Sequence, residues 1–421
     1  MQKKKIQKKK QKNTKITILA IETSCDETSL AVLDVVENKT TTNFKVRAHE
    51  TASQAQFHAQ YGGVFPAMAK REHTRAMMPL FLHTLKKAKI ARANSKSQIL
   101  NSKKISEILN REPDLLEQFL KEIPKIQKPP ITHIAVTVGP GLEPTLWVGI
   151  NFAKALSLAW DIPIIPVNHM HGHILSVLVP PKKKSFKLKA KNLNLTAVSL
   201  LVSGGHTELV LVKGIGKYKK IGQTRDDAAG EAFDKVARML ALPYPGGPEI
   251  SRIAEISRND PYLKKSRVPQ EEFLPRPMLR SPDFDFSFSG LKTAVLYLIR
   301  DLTSQTEAAT GTAQLSDITK EMIAREFEDA VVEVLTTKSL RALKKYKAKT
   351  LIVGGGVAAN KQLRKKLTQM CKKEKIAVHF PTGELSTDNA LMIALAGYFN
   401  IKNAVTKQNS PKLVASGNLQ I

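Results

Sequence analysis

Three histidines fall within six residues at 168–173, in the run Asn168-His169-Met170-His171-Gly172-His173. Imidazoles at such short spacing suit metal-ligand chemistry. On a helix, residues i and i+4 share a face, so His169 and His173 would meet one ion while His171 points elsewhere. On a strand all three would lie on one side. The strand-like run 162–167 before them and the apolar run 174–179 after them leave that choice open. Two imidazoles do not fill a coordination shell, so a carboxylate from a distant segment is expected. Asp388 is the candidate, in a polar patch just before an apolar run. Its plainer role would be a helix N-cap. The His-Glu-x-x-His pattern of zinc proteases is absent.

A second group of residues is built for anions. Leu201, Val202, Ser203, Gly204 and Gly205 form a glycine turn between two strand-like runs. Gly354 to Gly356 end another such run, with Asn360 in the first turn of the following helix. Gly246 and Gly247 supply a third turn. Glycines let backbone N–H groups approach an anion closely, and a helix N-terminus favours phosphate. One such turn is weak evidence, but three point to a nucleotide. The P-loop and dinucleotide fingerprints are absent, so another phosphate-binding architecture is required. Asp226 and Asp227 suit the start of a helix. Asp234 lies too deep in that helix for the same explanation and is placed to accept hydrogen bonds from a ribose.

These residues need elements to carry them. β-branched apolar runs predict a three-strand meander over 17–22, from Ser29, and over 44–52. A helix follows over 66–90. Residues 91–130 are lysine-rich and read as an insertion. A strand ending in Gly-Pro-Gly leads into a helix from Thr145, whose buried-looking run is interrupted by Lys154. A second strand–turn–strand unit spans 195–214, with helices around 227–241, 315–346, 360–373 and 387–400. Both halves open alike and continue in alternating helices and strands, which predicts an α/β fold with a duplicated core and a central cleft. The expected organisation is a basic disordered tail over 1–15, an N-terminal lobe over 16–175, and a basic insertion near 180–193. A C-terminal lobe over 195–386 follows, and then a helix and tail over 387–421 that return to the N-terminal lobe.

The 421 residues carry 66 basic and 37 acidic side chains, a net charge of +29. Such an excess suits a polyanionic partner, although lysine runs in the first 15 residues and at 180–192 also suit plain solvated surface. Two distant cysteines exclude a disulfide framework and a cysteine zinc site, and they fit a reducing cytoplasm. No uncharged apolar run approaches the roughly 18 residues of a membrane helix, and the lysine-rich start lacks the apolar core of a secretion signal.

Nine segments in order resemble the TsaD family of tRNA adenosine threonylcarbamoyltransferases, the bacterial form more than the archaeal. They include AIETSCDETSLAVLD, HAQYGGVFPAMAKREHTRAMMPL, NHMHGH, LLVSGGHTEL, DDAAGEAFDKVARMLALPYPGGP, LIVGGGVAANKQLR and STDNALMIA. The likeness spans about residues 16–400. It implies a two-lobed actin-like ATPase fold, as in actin, sugar kinases and Hsp70. It implies transfer of threonylcarbamoyl from threonylcarbamoyl-AMP to the exocyclic amine of the adenosine 3′ of the anticodon, in tRNAs reading codons that begin with A. One divalent metal per chain, iron(II) or else zinc, would be held by His169, His173 and Asp388. Adenylate would lie against Leu201 to Gly205, Asp234, Gly247 and Asn360, and Asp26 and Glu27 would stand near the reacting centre. The implied partners are tRNA, an inactive TsaB-like paralogue and a TsaE-like P-loop ATPase, with no membrane. Two departures stand out. His171 replaces a common glutamate and adds a competing imidazole, and Ala67 replaces an acid. A small-molecule kinase or ATPase of the same superfamily, and a non-catalytic nucleotide-binding scaffold, are the alternatives.

Overall fold

The computed structural model describes residues 15–38, 40–95, 100–181, 183–189, 196–260, 274–310 and 315–421. The expected basic tail lies outside the described residues, apart from Lys15. The N-terminal sheet begins with β1 (Lys15–Glu22), β2 (Glu27–Glu37) and β3 (Thr41–Ser53), an antiparallel meander. From Ile18 onward β1 is buried at every position. Its Ile-Leu-Ala-Ile run therefore lacks the polar alternation of a half-exposed strand. Helices α1 (Ala55–Ala59) and α2 (Pro66–Lys87) follow. Pro66 stands where a missing N–H does no harm, and Lys86 and Lys87 face the negative end of the α2 dipole.

The described residues of the 91–130 stretch are a built part of the lobe. They form α3 (Ser102–Ile108) and α4 (Pro113–Glu122), which bury Ile105, Leu115 and Phe119 in the N-terminal core. Glu112, itself buried, accepts from Asn151 at 3.0 Å and pairs with Lys70 at 3.2 Å. Next come β4 (His133–Gly139), α5 (Glu143–Trp160), β5 (Ile164–Asn168) and α6 (His169–Ser176). The basic stretch after α6 contains an unexpected strand, β6 (Ser185–Lys189), paired with the free edge of β3. Its Phe186 stacks on Phe44 at 5.0 Å. The six-stranded order is β5-β4-β1-β2-β3-β6.

The second lobe repeats the design. It contains β7 (Thr196–Val202), β8 (Thr207–Lys213), β9 (Tyr218–Gln223), α7 (Ala229–Met239), α8 (Gly246–Asn259), α9 (Ser289–Thr310), α10 (Asp317–Lys345), β10 (Thr350–Gly354), α11 (Lys361–Lys373) and β11 (Ala377–His379). Its sheet runs β11-β10-β7-β8-β9. In both sheets a three-strand antiparallel meander is extended by two parallel strands, in the same order. This is the duplicated core of an actin-like α/β fold. β9, α8 and α9 are elements the sequence reading did not anticipate.

The last helix, α12 (Ala390–Phe399), packs on β1 and β2 and completes the core on that face of the N-terminal sheet. The segment after it also runs over this lobe. The Ser416 N–H donates to Val138 O at 2.8 Å, and the Lys154 ammonium donates to Leu413 O at 2.8 Å. The lysine in the middle of α5 is thus satisfied by backbone oxygen. Between the lobes, Met170 and Ile174 of α6 pack on Ala197, Leu201, Val210 and Val212 of the second sheet. Apolar contact fixes α6 across the junction, and its histidines are carried with it.

Candidate metal centre and nucleotide cradle

The histidine run is a helix. Asn168 caps α6 by accepting from the Met170 N–H at 2.9 Å. His169 and His173 are therefore one turn apart, with their Nε2 atoms separated by 3.0 Å. Asp388 Oδ1 lies 3.2 Å from His169 Nε2 and 3.1 Å from His173 Nε2. The N-cap of α12 is Asn389, which accepts from the Met392 N–H at 3.0 Å. Asp388 is thus released from the capping role that was its plain alternative. His171 faces elsewhere, its ring 4.6 Å from Tyr218. Burial pushes its pKa down to about 4, and it does not join the cluster.

Behind His169 stands a residue that sequence reasoning missed. Glu22, fully buried at the end of β1, has Oε2 3.2 Å from His169 Nδ1. The Ser24 hydroxyl lies at the same distance from that nitrogen. Glu22 is held in turn by the Thr137 hydroxyl and by the Ser24 N–H at 2.6 Å. A carboxylate on Nδ1 fixes the tautomer and aims Nε2 at the cluster, the arrangement that orients metal-binding imidazoles.

The electrostatics favour a cation. Burial alone would neutralise His169, but Asp388 and Glu22 on either side outweigh it and raise its pKa well above the ordinary value. Burial also opposes charge on Asp388 and Glu22, yet His169 keeps both carboxyls below their usual range. Burial holds His173 low. Two carboxylates, Glu22 buried and Asp388 half-buried, against one imidazolium leave a net negative pocket. A divalent ion would satisfy all three inward-facing atoms at once, and the residues fit it.

The acidic turn lies beside this pocket. His73, buried in α2, fixes it by bonding Thr28 Oγ1 at 2.7 Å and the Cys25 carbonyl at 2.9 Å. Burial, then the charge of Asp26, pushes the Glu27 carboxyl well above the ordinary range. Burial also raises the Cys25 thiol, which leaves it a poor nucleophile.

The second lobe brings the glycine turns to the same crevice. A Cβ at Gly354 would lie 3.0 Å from the His173 carbonyl. Burial lowers the His206 imidazole to about 4, and the charges of His169 and His173 act on it in the same direction. The Ser203 N–H is occupied, donating to His206 O at 2.8 Å. It is therefore withdrawn from the anion-binding set, which leaves that work to the glycines that follow. Space around Gly204, Gly205 and Gly356 is open, since a Cβ at any of them meets nothing within 4 Å. Gly355 differs: at φ +88° its Cβ would strike Val202 O, so only glycine fits.

Asp234 accepts from the Gly246 N–H at 2.8 Å and so holds the third turn in shape. Asn360 is engaged at both ends. It caps α11 by accepting from the Leu363 N–H at 2.8 Å, and its amide donates to Ser251 Oγ at 2.9 Å and Glu328 Oε1 at 2.7 Å. Glu328 and Ser251, like Glu22, carry no sequence signal of their own.

The family model described as TsaD, tRNA N6-adenosine threonylcarbamoyltransferase, matches residues 45–96 and 102–395. The chain belongs to this family. A protein of that name from Paraburkholderia xenovorans is 42% identical over 385 residues, covering 91% of this chain and 92% of its own. Another from Chromobacterium violaceum is 42% identical over 387 residues, covering 92% and 94%. Among solved structures, full-length HypF in its phosphate- and nucleotide-bound form aligns with 93% of this chain and 47% of its own. The identity there is 12% and the TM-score 0.48.

Proposed function

We propose that this chain transfers threonylcarbamoyl from threonylcarbamoyl-AMP to the N6 amine of the adenosine 3′ of the anticodon in tRNAs reading codons that begin with A. The observation that carries the reading is the convergence of His169, His173 and Asp388 from distant segments, within 3.2 Å of one another, beside an acidic turn and three glycine turns. Two imidazoles suit magnesium poorly, which disfavours a kinase of the same superfamily.

The ion we assign to the triad is iron(II), as the family resemblance implies, with zinc the alternative; two imidazoles and one carboxylate suit either. When bound, such an ion supplies a Lewis acid for the donor's carbonyl or phosphate oxygens.

The chain's own groups perform the rest. The amine nitrogen attacks the carbamoyl carbon, the bond from that carbon to the phosphate oxygen breaks, and AMP leaves. N–H groups of Gly204, Gly205, Gly355 and Gly356 receive the phosphate and stabilise its developing charge. Asp234 holds Gly246 and Gly247, while Glu328 and Ser251 hold Asn360, and these fix the walls around the adenosine. Glu27 takes the amine proton. Its raised pKa brings it toward the range in which a general base works well, and Asp26 helps to raise it.

Within the cell we place the reaction in the cytoplasm, with tRNA bound through the basic surface. The inactive paralogue and P-loop ATPase of bacterial relatives are the proposed partners. The test is reconstitution with iron(II), these partners, tRNA and threonylcarbamoyl-AMP, read by nucleoside mass spectrometry. Threonylcarbamoyladenosine is the expected product, and its absence from a fully loaded assembly would sink the reading.

A further inference from the structure

The groups assigned above leave open what holds the RNA loop at the mouth of the site. Three aromatic side chains follow one another in the segment after β3. Ring centroids are 5.6 Å apart from Phe57 to Tyr61 and 5.7 Å from Tyr61 to Phe65. Tyr61 and Phe65 remain 45% and 49% exposed, a row of ring surface left to solvent. The row is anchored to the reacting turn. The Gln54 N–H donates to the Asp26 carbonyl at 2.9 Å, and the Gln54 side chain holds His58 at 3.1 Å.

Arg71 lies exposed on the next turns of α2. Its neighbours Lys70 and Arg75 are paired with Glu112 and Glu72. Arg71 itself has no ion pair among the described residues. Ala67 stands four residues before it, one turn back on α2. An acid at that spacing would neutralise Arg71 on the helix surface. Ala67 offers no such charge, and the guanidinium is left for another anion.

Rings that accept any base face, next to an unpaired guanidinium, are the recognition chemistry of single-stranded RNA. Duplex RNA hides its base faces and would find only the arginine. We propose that Phe57, Tyr61 and Phe65 form a stacking platform for anticodon-loop bases flanking the target adenosine, with Arg71 on a loop phosphate. This rests on the functional reading above and extends it to substrate positioning.

The test uses the full chain and two RNAs of equal length, an anticodon stem-loop and a blunt duplex, with binding read by fluorescence anisotropy. Tyr61→Ala and Phe65→Ala are each expected to weaken stem-loop binding about tenfold and to leave duplex binding unchanged. Phe65→Tyr keeps a ring and keeps the affinity. Arg71→Ala is expected to reduce the salt slope of stem-loop binding by about one ion. Alanine variants that bind the stem-loop as the parent does would overturn the platform. So would variants that keep RNA affinity but lose transfer, which would give the row to a protein partner. Parental transfer in the same preparation separates the two readings. An active parent whose variants bind normally loses only the platform. An inactive parent whose variants still lose stem-loop affinity loses only the assigned reaction.

Discussion

The candidate metal pocket and the proposed nucleotide cradle face one crevice but are built on opposite plans. The pocket is largely buried and made of side chains. Its two histidines are buried, Glu22 and Ser24 stand behind one of them, and apolar contacts lock α6 across the lobe junction. The cradle is open and made largely of backbone, with empty space over Gly204, Gly205 and Gly356. A resident ion needs a fixed ligand set, and fixed ligands need support from behind. A substrate that enters and leaves needs room, and glycine supplies room along with exposed N–H groups.

The comparison breaks first at the ligands. His173→Ala or Asp388→Ala is expected to empty the pocket and lower transfer by more than about 100-fold, checked by elemental analysis beside activity. Retained metal in either variant would show that the triad is not the site. Glu22→Gln probes the support without touching a ligand. Metal affinity should fall about 10- to 100-fold in a competition titration, with the fold intact by circular dichroism. On the cradle side, Gly230→Ala forces a Cβ to within 2.6 Å of Ser203 O and is expected to cost about 1–3 kcal/mol of stability. Gly204→Ala meets nothing within 4 Å and should leave Tm within about 1 °C while weakening donor binding. A Gly204→Ala chain that binds the donor normally would move the phosphate elsewhere. The smallest effect belongs to His171→Gln, which should leave metal content unchanged because that ring packs on Tyr218.

Much of this was legible in the residues. The first meander, the strand–turn–strand opening of the second half, the glycine turns and the spacing of His169 and His173 are local patterns, and local patterns survive without coordinates. Whether NHMHGH was helix or strand was not legible, because six residues carry both periods equally well. The cap on Asn168 and the packing of Met170 and Ile174 decide it. Glu22 was invisible because a single acid at the end of an apolar strand looks like a strand boundary. Only the fold shows it buried behind His169. Strand β6 hid for a related reason. Phe186 and Leu188 alternate as a strand should, but the lysines around them read as solvated loop. Asn360 shows the reverse limit, since its place at a helix start was readable but its bonds to Ser251 and Glu328 come from other segments.

The position of α12 has a temporal consequence. It is made after both sheets, yet it covers the one built from β1 and β2, and the residue preceding its cap supplies the carboxylate of the proposed triad. A nascent chain can therefore fold much of both sheets while its ion site still lacks one arm. The proposed ion site is complete only once α12 has docked, and a product truncated before Asp388 would lack its third ligand.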